Sequence, residues 1–227
     1  MTAKLAERVQ PVLRLLRRSS APPASASDDL SVFGVPVRGW WNSGTIAPDL
    51  ARYLVALMIS RRPARIAECG PGISTVVLGL CARALGRGRV YSLEHDAFWA
   101  RRIVSELAAR QLEAFVEVRH APLARRRRGP ASYRWYDDGG WLAAQGPFEL
   151  VLVDGPPGVR PWSPGRRGAL FELFDALAPG GLLLLDDGAR ASERAAVAAW
   201  QRAFGDRIST EYVPLQKGLW VVRKAER

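Results

Sequence analysis

A chain of 227 residues with 48% apolar content is long enough for one domain with extensions and can fill a sizeable core. No apolar run approaches the length of a membrane span, and two histidines, His95 and His120, leave little material for a zinc site. The net charge of +11 is carried almost wholly by arginine and raises the expectation of an anionic partner: nucleic acid, anionic lipid or an acidic substrate.

Residues 1–18 can form a basic amphipathic helix. Leu5, Val9, Val12, Leu13 and Leu16 share one side and Arg8, Arg14, Arg17 and Arg18 flank it, with Pro11 interrupting the pattern. The stretch lacks the continuous apolar core and small-residue cleavage site of a secretory signal. Ser19 to Asp28 is linker by composition. Residues 1–28 are therefore expected to be an appendage that covers the domain, and residues 29–227 the domain itself. Cys69 and Cys81 sit in apolar settings and read as reduced, buried thiols of a cytoplasmic protein.

Trp40 to Thr45 is a turn-rich lead-in. A helix follows from Pro48, with Leu50, Leu54, Leu57 and Met58 on one face, and Pro63 ends it. Arg65 to Cys69 reads as a short buried strand, Gly70-Pro71-Gly72 turns the chain, and Ser74-Thr75 opens the next helix. A second strand over Arg89–Glu94, a helix over Ala97–Gln111 and a third strand over Phe115–His120 follow. A long basic loop is expected next, carrying Arg125-Arg126-Arg127-Arg128 and Tyr133 to Asp137. Glu149 to Asp154 is apolar until its final acid, as a buried parallel strand is. Leu170, Phe171, Phe174 and Leu177 mark a helix that Gly180-Gly181 would end, and Leu182 to Asp187 gives the fifth strand. After a helix over Ser192–Phe204, two last strands, Ile208–Pro214 and Gly218–Arg223, are joined too tightly for a parallel crossover and must be antiparallel.

The chemistry should sit at the strand ends. In an open α/β sheet, ligands bind outside the carboxyl ends of the strands. Acids stand at four of them: Glu68, the Glu94-His95-Asp96 group, Asp154, and Asp186-Asp187. The glycine turn after the first strand lets a ligand approach the backbone, and the N–H groups of the helix start face it. Glu94 follows at the distance suited to holding the two ribose hydroxyls of a nucleoside. A dinucleotide fold needs a third glycine where this chain has Thr75.

Six segments in this order, AECGPGIST, VYSLEHD, VEVRHAPL, YRWYD, LVLVDGPPG and LAPGGLLLLDD, resemble the class I S-adenosylmethionine-dependent methyltransferases. The resemblance covers about Trp41 to Arg223 and is most specific to a bacterial group often labelled the methyltransferase 24 family. It implies an α/β, Rossmann-like, seven-stranded, mostly parallel sheet with an antiparallel last strand and helices on both faces. It also implies that Glu68, Gly70 and Gly72 surround the methionine end of the cofactor, that Glu94 holds the ribose, and that the His120-Ala121-Pro122-Leu123 turn lies near the adenine. The cofactor-binding set on this reading is Glu68, Gly70, Gly72, Ser74, Glu94, His95, His120, Ala121 and Asp154.

Metal-dependent small-molecule O-methyltransferases place acids after the fourth and fifth strands, and Asp154, Asp186 and Asp187 are similar to that set. The three are expected as ligands of Mg²⁺, with Asp154 and Asp187 as catalytic residues. Pro156-Pro157 stands where those enzymes often have a further acid; the plain alternative is that Asp154 shapes the pocket and Asp186-Asp187 cap a helix. The reading is a cytoplasmic S-adenosylmethionine-dependent methyltransferase acting on a small-molecule or sugar hydroxyl, with divalent-metal assistance. Nucleic acid is the less favoured partner. One alternative is an RNA methyltransferase, motivated by the charge and the four arginines. Another is a non-catalytic nucleotide-binding module, membrane-associated through residues 1–18.

Overall fold

The computed structural model describes residues 45–128, 131–158 and 165–226. The expected basic helix and linker of residues 1–28 and most of the lead-in lie outside the described residues. Helix α1 (Pro48–Arg61) and strand β1 (Arg65–Cys69) begin the described chain. Then come α2 (Ile73–Leu85), β2 (Arg89–Glu94), α3 (Ala97–Ala109) and β3 (Val116–His120). The hairpin β4 (Leu123–Arg128) and β5 (Ala131–Tyr136) follows, with a single helical turn, α4 (Trp141–Ala144), and strand β6 (Phe148–Val153). The last part comprises α5 (Gly168–Leu173), β7 (Leu177–Leu185), α6 (Ala191–Phe204), β8 (Ile208–Val213) and β9 (Leu219–Lys224).

The main sheet runs β3-β2-β1-β6-β7-β9-β8. β1 lies between β2 and β6 and is parallel to both; β9 is inserted between β7 and β8 and is antiparallel to both. Strand order reverses at β1 and β6, so the crevice of an open sheet falls at their carboxyl ends. The apolar runs alternate between two cores, as period-two side chains must. Ile66, Val90, Leu150, Leu152, Leu182 and Leu184 pack with α1, α2 and α3 on one face. Ala67, Leu93, Val151, Val153, Leu183 and Leu185 pack with the hairpin, α5 and α6 on the other.

Two expectations are corrected. The basic loop is a two-stranded antiparallel hairpin. Tyr133 and Trp135 alternate with exposed Ser132 and Arg134, a strand period that burial of the aromatic pair enforces. The glycine pair does not end a helix: α5 stops at Leu173, and Leu177 already belongs to β7. Gly180 and Gly181 form an irregularity inside that strand, where the register against β6 shifts between Phe148 and Leu150. A Cβ on Gly181 would lie 2.8 Å from Ala178 O and 2.9 Å from Phe148 O.

Candidate active site

The turn after β1 is stitched to the turn after β6. Gly70 has φ +87, and a Cβ there would lie 2.7 Å from Gly155 N. Asp154 N and Gly155 N both donate to Cys69 O, at 2.9 and 2.7 Å. Glycine is therefore required at position 70 by conformation and by contact. Gly72 differs: a Cβ there meets nothing within 4 Å, because it would project into open space. Gly72 N donates to Thr75 Oγ1 (2.8 Å), Thr75 Oγ1 donates to Glu68 Oε2 (2.7 Å), and Ser92 Oγ donates to the same oxygen (2.8 Å). Burial pushes the Glu68 carboxyl up to about 7 against these hydrogen bonds, and its Oε1 has no partner. Trp99 on α3 clamps the turn from outside, its Nε1 donating to Pro71 O (2.7 Å).

Beyond the turn, β2 ends in Glu94, which is 4% exposed. Its Oε1 accepts from Asp96 N (2.7 Å), and His95 Nδ1 stands 2.7 Å away without hydrogen-bond alignment. Burial raises the Glu94 carboxyl above its usual range. Ala121 N donates to Glu94 O (2.7 Å), and His120 Nε2 lies 3.2 Å from His95 O. His120 and Ala121 thus brace the Glu94 corner.

At the other end the three acids meet: one oxygen from each of Asp154, Asp186 and Asp187 lies within 4.8 Å of the others. A cation that sequence reasoning missed, Arg166, bonds two of them. Its Nη2 is 2.9 Å from Asp154 Oδ1, and its Nη1 is 2.9 Å from Asp187 Oδ2 and 3.0 Å from Asp186 O. Arg190 Nη1 shares Asp187 Oδ2 with Arg166 (3.0 Å), and Lys217 Nζ stands 3.9 Å from Asp187 Oδ1. Burial, with Asp186 and Asp187 nearby, pushes the Asp154 carboxyl up to about 8, while Arg166 opposes the rise. Asp186 is pushed up to about 6 by burial and by Asp187, and its Oδ2 has no hydrogen-bond partner. Mg²⁺ requires several oxygens converging on one point in near-octahedral geometry. With the guanidinium between Asp154 and Asp187, the donor set as arranged does not fit that ion.

These parts line one cleft of about 500 Å³. Of the expected residues, Gly70, Gly72, Ser74, Glu94, His95, Asp154 and Asp187 line it. Glu68, His120, Ala121 and Asp186 support its walls and do not line it. Trp99, Tyr136, Arg166 and Lys217 line it and were not expected. Tyr136 carried a signal, an aromatic next to the single acid of YRWYD, Asp137. Arg166 carried none, being one arginine among many. An elongated nucleoside with a charged tail fits this donor set: a buried carboxylate stands at one end, a side-chain-free turn with the start of α2 lies in the middle, and charged groups fill the other end.

Comparison with known proteins agrees. A family model described as a methyltransferase domain, from the methyltransferase 24 family, matches residues 67–188, more than half of the chain. No curated protein matches. The solved structure of the S-adenosylhomocysteine-bound methyltransferase PaMTH1 from Podospora anserina is 15% identical, covers 99% of this chain and 97% of its own, and has a TM-score of 0.65. An O-methyltransferase from Bacillus cereus in complex with S-adenosylhomocysteine is 14% identical, with coverages of 97% and 99% and a TM-score of 0.60. The O-methyltransferase TomG from Streptomyces achromogenes, involved in tomaymycin synthesis and solved with S-adenosylmethionine, is 16% identical, with coverages of 99% and 100% and a TM-score of 0.56. No helix among the described residues is long and apolar enough to cross a membrane. With the expected sheet, the glycine turn and the strand-end acids in place, the chain belongs to the methyltransferase 24 family of class I S-adenosylmethionine-dependent methyltransferases.

Proposed function

We propose that this enzyme methylates a hydroxyl oxygen of a small-molecule acceptor. The observation that carries the reading is the position of Asp154, a raised carboxyl lining the cleft at the turn stitched to Gly70. When bound, S-adenosylmethionine supplies a methyl carbon made electrophilic by its sulfonium. Glu94 accepts the ribose hydroxyls, and the turn at Gly72 admits the methionine portion. Asp154 would take the proton of the acceptor hydroxyl as that oxygen gains the methyl group, with the uncharged thioether as the leaving group. A base whose affinity for protons lies near neutrality suits that task. Asp187, held by Arg166 and Arg190, fixes the far wall. The two named O-methyltransferase structures of the same fold support oxygen as the acceptor atom. Cys69 and Cys81 are both free and buried, which supports the cytoplasmic part of the reading.

The test is a screen with methyl-labelled S-adenosylmethionine against hydroxylated small molecules and against total cellular RNA, with products identified by mass spectrometry. An O-methyl ether of a small molecule is expected. Label found in RNA would move the reading to an RNA methyltransferase. Failure to bind S-adenosylhomocysteine in calorimetry would end the methyl-transfer reading altogether.

A further inference from the structure

The acid-rich wall of the cleft contains a cation of the chain's own. Arg166 is 7% exposed, a depth at which a guanidinium persists only when its charge is compensated. Both of its terminal nitrogens are engaged, Nη2 by Asp154 and Nη1 by Asp187 and the Asp186 carbonyl. Glu193 Oε1 stands 4.0 Å from Nη1. Three acids, Asp154, Asp187 and Glu193, thus face three cations, Arg166, Arg190 and Lys217, and Asp186 meets Arg166 through its backbone carbonyl, so most of the group's charge is balanced by the chain's own cations.

The chain also holds Arg166 in place from behind. It belongs to a 3₁₀ turn, Gly165–Arg167, whose Arg167 O accepts from Trp200 Nε1 on α6 (2.8 Å). Gly165 and Gly168 on either side are backed so closely that a Cβ would lie 2.7 Å from Pro156 O at the first and 2.8 Å from the Tyr133 ring at the second. After Asp154 the chain continues Gly155-Pro156-Pro157, which offers no further carboxylate to complete an ion's oxygen shell.

From this arrangement we infer that Arg166 is the built-in counter-ion of the cluster and stands where a divalent metal would otherwise sit. Arg166 is then a positioning residue: it orients the Asp154 and Asp187 carboxylates as a fixed fork. The inference rests on the methyl-transfer reading for its purpose but not for its geometry. It has a consequence for the acceptor. Chelation to an ion requires two adjacent oxygens on the substrate, whereas a carboxylate–guanidinium wall can take an acceptor with a single hydroxyl.

Titration of the purified protein with Mn²⁺, read by electron paramagnetic resonance, together with melting curves in Mn²⁺ and in EDTA, tests this. The wild type is expected to show no saturable Mn²⁺ binding and the same Tm in both solutions. Arg166→Gln, which leaves the acids without their counter-ion, is expected to gain saturable Mn²⁺ binding and a Tm that rises with the metal. Arg166→Lys keeps the charge and should remain indifferent to Mn²⁺. Saturable binding by the wild type that Asp187→Asn abolishes would overturn the inference. So would a folded Arg166→Gln protein that ignores Mn²⁺. If Arg166→Gln does not fold, the wild-type titration still decides. Binding of S-adenosylhomocysteine, measured in parallel, reports separately on the methyl-transfer reading.

Discussion

Thr75 joins the glycine turn to the strand before it: its hydroxyl accepts from Gly72 N and donates to the buried Glu68 Oε2 at 2.7 Å. Glu68 therefore acts as a brace under the cleft, and its ionisation bears on stability. Its carboxyl is raised from 4.5 to about 7 in the folded protein. Between those values the folded state holds a proton that the unfolded state has released, so stability falls as pH rises through the window. The loss is complete above about 7 and amounts to about 3 kcal/mol. Glu68→Gln keeps an oxygen for Thr75 and Ser92 and cannot ionise. Urea melts between pH 4 and pH 8 should show a steeper decline in stability for the wild type than for this variant, in which the raised carboxyls of Glu94, Asp154 and Asp186 still contribute. Parallel curves for the two proteins would assign the pH dependence elsewhere.

The two glycines of the turn should separate stability from binding. Gly70→Ala forces a side chain into the left-handed region and against Gly155 N, so it should lower stability by about 1–3 kcal/mol, the range for backbone strain of this kind. Gly72→Val places its branches in the open cleft and should leave the melting temperature of the free protein nearly unchanged while blocking S-adenosylhomocysteine. Thermal melts and calorimetry on both variants check the contrast; normal ligand binding by Gly72→Val would remove the turn from the cofactor site.

Glu94 is buried at the end of β2, and one of its oxygens is already engaged by Asp96 N. Its remaining capacity is the natural partner of ribose hydroxyls, so Glu94→Ala should weaken S-adenosylhomocysteine binding by about 1–3 kcal/mol, the cost of leaving buried hydroxyls unpaired. Equal affinities by calorimetry would exclude that contact.

The hairpin makes a prediction that an unstructured loop would not. Arg125 and Arg134 are direct cross-strand partners, and both are exposed. Like charges in that position destabilise, so Arg125→Glu should stabilise the protein by about 0.2–1 kcal/mol. Arg128, by contrast, donates to Phe171 O and lies over the Phe171 ring at 5.5 Å. Its removal should cost stability. A neutral result for both substitutions in denaturant melts would mean that the hairpin is not formed in solution.

Much of this architecture was legible because the relevant signals are local. The buried strands announce themselves as continuous apolar runs, and the turn between β8 and β9 is too short for anything but an antiparallel pair. Glu94, Asp154 and Asp187 could be picked out because each stands at or just beyond the carboxyl end of a strand, and topology carries strand ends to one edge. The hairpin was hidden because four consecutive arginines mask the alternation of Tyr133 and Trp135. The true start of β7 was hidden because Gly180-Gly181 looks like a terminator and acts as a bulge. Arg166 was hidden for a different reason. Its partners are contributed by the ends of two strands and the first turn of α6, so its burial is a property of the assembled fold, and nothing in its neighbours along the chain marks it.

Asp154 carries the last prediction. Its carboxyl is raised to about 8 by burial and by the neighbouring acids, and it lines the cleft beside Arg166. As the acceptor of the hydroxyl proton it must be ionised, so turnover should rise with pH and level off once the group has lost its proton, near or somewhat above neutrality. Asp154→Asn keeps the shape and a hydrogen bond to Arg166 but cannot take a proton. It should lower kcat by about 10²–10⁴-fold, the usual contribution of a positioned base, and flatten the pH profile. S-adenosylhomocysteine affinity should change far less, because on this reading Glu94 and the glycine turn hold the cofactor elsewhere. A kcat that keeps the wild-type pH dependence in Asp154→Asn would assign the proton to another group and leave Asp154 with the structural task of seating Arg166.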